Sequence, residues 1–99
     1  VLVTAPTALT PEHPVTRALC EQTHNFFDPR RIREVHDAYN AQVRSVAGEL
    51  GVPLVDAAAR FDRLPGAERL FKDGIHLTAE GHRVLAELLE PAVRQAARR

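Results

Sequence analysis

The order of apolar runs in this 99-residue sequence predicts an α/β domain with parallel strands flanked by helices. Two short β-branched runs, residues 1–5 and 52–57, are each followed by a loop and then by a stretch of helical period. Strands separated by helices in this way run parallel and are joined by right-handed crossovers.

Each element has its own signal. Residues 1–5 read as a short buried strand ended by Pro6. Residues 6–27 form a long connection with Pro6, Pro11 and Pro14, and residues 15–23 have room for a helical turn. Connections longer than ~12–15 residues are uncommon and usually functional. Asp28 is a good N-cap, Pro29 suits the first helical position, and Gly51 suits the position just past a helix end. Between them Ile32, Val35, Tyr39, Val43, Val46 and Leu50 recur at spacings of three and four, predicting a helix with one apolar stripe and Tyr39 in the core. The run V-P-L-V-D-A, residues 52–57, is the second strand. Residues 58–74 read as irregular, with turns at Pro65-Gly66 and Asp73-Gly74. Thr78 then caps a last helix, with Glu80 in its first turn and Leu85, Leu88, Leu89, Ala92 and Ala96 on its apolar face. Pro91 lacks an N–H and is expected to kink or split that helix near Glu90.

Two strands do not make a stable sheet with both faces covered, so further strands are expected before Val1. The absence of methionine and the apolar start Val1-Leu2-Val3 lead to the same expectation, that residues 1–99 are the later part of a longer domain. A signal peptide would belong to the earlier part, so compartment stays open.

Composition removes several functions. Thirteen basic residues balance thirteen acidic ones, leaving no positive field for a nucleic acid. No apolar run approaches the ~20 residues that span a bilayer. Cys20 is the one cysteine, and A-L-C-E-Q lacks glycine-rich donors beside it, so it reads as a small buried hydrophobe. Five histidines occur without H-E-x-x-H or C-x-x-C, and no metal or organic cofactor is expected.

Open parallel sheets bind ligands beyond the carboxyl ends of their strands, here in residues 6–27 and 57–77. The second loop ends F-K-D-G-I-H-L-T-A-E-G-H where a helix begins. Asp73 and His76 are three residues apart with Gly74 between them, a spacing that lets the carboxylate accept from His76 Nδ1–H and leaves Nε2 as a base. The plain alternative is an Asp-Gly turn beside a surface histidine. Asn25, Phe26 and Phe27 are candidates to line a substrate pocket, with packing over the helix start as the alternative. Asp56 either faces the site or caps the following turn.

The block D-G-I-H-L-T-A-E-G-H-R-V-L-A resembles the last conserved block of the SGNH/GDSL hydrolase family, whose Asp-x-x-His precedes a C-terminal helix. The order of elements upstream is similar too. The resemblance spans nearly all of this chain but only the later half of the family's domain. It implies a flavodoxin-like parallel sheet flanked by helices and hydrolysis of small esters or related acyl bonds. It also implies Asp73 as triad acid and His76 as general base.

The family's nucleophile lies in a G-D-S block and its oxyanion donors include a G-x-N-D block, and neither block is in this sequence. Ser45, the one serine, falls inside the long predicted helix, where its backbone N–H is already used. The nucleophile is therefore expected from an upstream segment, and these 99 residues alone are expected to be inactive. A non-catalytic module that pairs with another copy or with a partner half is the rival expectation, because bare strand edges seek partners.

Overall fold

The computed structural model describes residues 1–22 and 28–98. In chain order they form β1 (Leu2–Val3), α1 (Pro14–Gln22), a 3₁₀ turn at Pro29–Arg31, α2 (Ile32–Leu50), β2 (Leu54–Val55), α3 (Ala57–Arg63), a second 3₁₀ turn at Ala67–Leu70, and α4 (Ala79–Ala97). The two strands pair in parallel, Leu2 opposite Leu54 and Val3 opposite Val55. The pairing extends by one bond on each side, from Leu2 N–H to Pro53 O (2.9 Å) and from Thr4 N–H to Val55 O (3.2 Å).

β1 is not buried on both faces, as the sequence reading expects. Val1 and Val3 are exposed and Thr4 is buried, an alternation that leaves one face bare. Beyond the ladder, the Asn40 side chain continues the pairing. Its Nδ2 donates to Ala5 O (2.9 Å) and its Oδ1 accepts from Ala5 N–H (2.9 Å), so α2 is stapled to the strand end.

Asp28 caps the chain before α2 by accepting from Arg30 N–H (3.0 Å), although the first turn is a 3₁₀ turn and not α. Gly51 closes α2 at φ 63°, where only glycine sits without strain. The apolar stripe on α2 is only half covered. Ile32, Val35 and Val43 are half-buried, while Tyr39 is 71% exposed and Leu50 69%. Tyr39 is therefore a surface residue among these elements. The positions that α2 buries are Asn40 and Ala47, and α2 packs against β1.

Residues 58–74 are more regular than expected. Asp56 accepts from Ala59 N–H and opens α3, whose Ala57, Ala58 and Phe61 are buried. The Ala57-Ala58-Ala59 run has high helix propensity and needs only that cap. α4 runs through Pro91 without a split. Pro91 is exposed, and so is Glu87, whose carbonyl loses its helical donor to the proline and is left to water.

The core that matters for the site gathers Ala57 and Phe61 of α3, Phe71 and Leu77 of the loop before α4, and Val84, Leu85 and Leu88 of α4. Phe61 and Phe71 meet edge to face, with ring centroids 5.9 Å apart. No helix among the described residues is long and apolar enough to cross a membrane.

Candidate active site

The loop between the second 3₁₀ turn and α4 is a small closed unit. Phe71 and Leu77 pair as an isolated antiparallel bridge, and both side chains are buried. Lys72 N–H donates to His76 O (2.7 Å), and Thr78 N–H donates to Leu70 O (2.8 Å). The Thr78 hydroxyl also donates to Leu70 O (3.2 Å) and accepts from Gly81 N–H (3.1 Å), which caps α4. Two buried apolar anchors and a capped helix thus hold a tip of four residues, Asp73 to His76.

Within that tip the Asp73 carboxylate is fully engaged. Its Oδ1 accepts from Ile75 N–H (3.0 Å) and His76 N–H (2.7 Å), an Asx-type turn. Its Oδ2 lies 2.6 Å from His76 Nδ1. The His76 side-chain bond, then the His76 and Ile75 backbone N–H groups, hold the Asp73 carboxyl down at about 2, below its usual 3.8. Ionised Asp73 has no proton to give, so His76 Nδ1–H must be the donor. A neutral His76 ring therefore carries its lone pair on Nε2. That atom has no hydrogen bond to any described residue, and the side chain is 70% exposed.

The glycines of the motif have distinct physical reasons. Gly74 adopts φ 88°, and a Cβ there would lie 2.6 Å from Leu9 Cδ2. Gly81 is buried in the first turn of α4, where a Cβ would lie 2.4 Å from Leu70 O.

Other residues singled out in the sequence fall elsewhere. Asp56 is a structural group. It caps α3, accepts from Thr4 Oγ1 (2.7 Å) and binds Arg44 through two bonds of 2.8 and 3.0 Å. Ser45 is exposed within α2. Cys20 is buried in α1. Asn25, Phe26 and Phe27 lie outside the described residues. Among the described residues no three His, Cys, Asp or Glu side chains gather as metal ligands would. Thr7 and Ala8, which the sequence does not signal, line a cleft of about 360 Å³ with Arg33, Phe61 and Asp62.

A family model described as GDSL-like Lipase/Acylhydrolase matches residues 5–84, a span that includes the whole Asp73–His76 loop. The chain belongs to the GDSL-like lipase/acylhydrolase family. Comparison with curated proteins and with solved structures found no match. The GDSL-like family carries an α/β fold, and the two-stranded parallel sheet with its helices is consistent with such a fold. Membership also supports acyl-bond hydrolysis as the kind of chemistry.

Proposed function

We propose that this chain supplies the acid–base half of a serine esterase acting on small esters or acylated substrates, with Asp73 and His76 as its working pair. The observation that carries this reading is the 2.6 Å contact between Asp73 Oδ2 and His76 Nδ1, which leaves Nε2 open to solvent, in a chain of the GDSL-like family. A serine from outside these 99 residues attacks the acyl carbon and passes its proton to His76 Nε2. The imidazolium that forms is stabilised by Asp73 and returns the proton to the leaving alcohol. Water then repeats the sequence on the acyl-enzyme.

The bare surfaces support a missing partner for this half. The chain exposes 6904 Å², against about 5,600 Å² expected for a folded monomer of 11.0 kDa. Its radius of gyration is 14.9 Å, against about 13 Å for a compact chain of this length. Val1 and Val3 on β1 and Tyr39, Val46 and Leu50 on α2 contribute to the excess. An upstream half of the same domain would pair with β1 and cover these residues. The second reading, a non-catalytic module that self-associates, rests on the same exposed residues and the absence of a G-D-S block.

A fluorophosphonate serine-hydrolase probe applied to the natural gene product, followed by mass analysis, separates the two. A labelled protein containing these peptides supports the esterase. An unlabelled product of 11.0 kDa that associates with increasing concentration overturns it in favour of the module.

A further inference from the structure

The tip of the Asp73–His76 loop is gripped from a distant part of the chain. Gly74 O receives two donors from the loop after β1, the Thr7 hydroxyl (3.0 Å) and Ala8 N–H (2.9 Å). The Thr7 hydroxyl also accepts from Leu9 N–H (3.2 Å). Thr7, Leu9 and Gly74 are all buried, and Leu9 closes over the Gly74 Cα. The carbonyl so held shares one rigid peptide plane with Ile75 N–H. That N–H donates to Asp73 Oδ1 at 3.0 Å. The carboxylate is thereby oriented with Oδ2 on His76 Nδ1.

We infer that Thr7 is a positioning residue for the Asp73–His76 pair, acting through the Gly74–Ile75 peptide. This rests on the reading of His76 as general base. The Thr7 hydroxyl, together with Ala8 N–H, fixes the rotation of that peptide about its flanking bonds. Gly74, at φ 88° and without a side chain, has little resistance of its own to such rotation. Losing the hydroxyl leaves Gly74 O to Ala8 N–H alone, which loosens the Gly74–Ile75 peptide, weakens the Ile75 N–H bond to Asp73 and reduces the preference for the Nδ1–H tautomer of His76.

The test compares Thr7→Val, which keeps the shape and removes the hydroxyl, with Thr7→Ser, which restores it. The intact gene product is labelled with ¹⁵N-histidine, and the His76 ring is read in its neutral form by long-range proton–nitrogen correlation. Thr7→Val is expected to move His76 from the Nδ1–H form to a mixture with Nε2–H. It should lower kcat by roughly ten- to a hundredfold with KM within about twofold. Thr7→Ser should restore both. A Thr7→Val protein with the original tautomer and kcat overturns the inference. So does equal loss in Thr7→Val and Thr7→Ser, which would mean that packing alone matters. Thr7→Ala serves in the same comparison where Thr7→Val does not fold. Full activity in His76→Ala would instead overturn the general-base reading, and the tautomer comparison would still stand by itself.

Discussion

Gly81 and Leu70 approach so closely that a Cβ on Gly81 would lie 2.4 Å from the Leu70 carbonyl oxygen. Helix propensity alone says that Gly→Ala in α4 should help by about 1 kcal/mol. The contact reverses that sign, because the obstacle is backbone and the site is buried. Gly81→Ala is expected to destabilise the protein by about 1–3 kcal/mol in denaturant unfolding. Gly48 is the control. It sits in α2 with nothing within 4 Å of its Cβ position, and Gly48→Ala should stabilise by about 0.5–1 kcal/mol. Equal effects from the two would contradict the packing described for the α4 start.

Gly74→Ala tests the loop tip. It combines a left-handed φ of 88° with a clash against Leu9, so the tip must deform to accept it. On the proposed function, kcat of the natural gene product falls by about a hundredfold or more. Thermal unfolding and steady-state kinetics on the same preparation distinguish a displaced site from a lost fold.

His76→Ala and Asp73→Asn bear directly on the proposed chemistry. On that proposal each lowers kcat of the natural gene product by about 10³–10⁴-fold, the first by removing the base and the second by favouring the wrong tautomer. Ser45→Ala, on the exposed side of α2, should leave the rate unchanged. A near-normal rate in either of the first two variants would remove the assignment.

The Thr4–Asp56–Arg44 group predicts a pH effect on stability. Arg44, ahead of Thr4 and Ala59 N–H, holds the Asp56 carboxyl down at about 2 from its usual 3.8. A carboxyl depressed on folding contributes stability that is complete above its unfolded value and lost as pH falls through its folded one. The contribution is therefore intact at pH 5 and largely gone near pH 2. Wild type should lose more stability over that interval than Asp56→Asn. Asp73 is held down to about 2 in the same way. It is therefore ionised at neutral pH, where His76 Nδ1–H faces a carboxylate.

The parts of the structure legible in the sequence are those set by near neighbours. Asp73 meets His76 because three residues and a glycine turn leave few other arrangements. The edges of α2 follow from Asp28, Pro29 and Gly51, whose effects are confined to one turn. Tyr39 was illegible because the period of a helix says which residues share a face, not whether another element covers that face. Thr7 on Gly74 O joins residues 67 apart, and nothing in either local pattern announces the contact. α3 was hidden by Pro65-Gly66, which pointed to a loop while the Asp56 cap and three alanines before it had already set a helix. Pro91 illustrates the converse: α4 is not split there, and the Glu87 carbonyl that loses its donor lies on the exposed side.

The bonds that set Asp73 against His76 are almost all made between Leu70 and Gly81, by a bridge of Phe71 with Leu77, an Asx-type turn and a capped helix start. Such a unit closes over about ten residues, a loop that forms in tens of nanoseconds, whereas the β1–β2 ladder joins residues some fifty apart. The Asp73–His76 contact is thus local in sequence, whereas the grip of Thr7 and Ala8 on Gly74 O is long-range. Mutations in the strands should then change how often the pair is locked into register more than whether the turn itself exists. The same locality makes the Asp73–His76 turn and its helix start a self-contained unit, closed by hydrogen bonds that none of the strand residues donates or accepts.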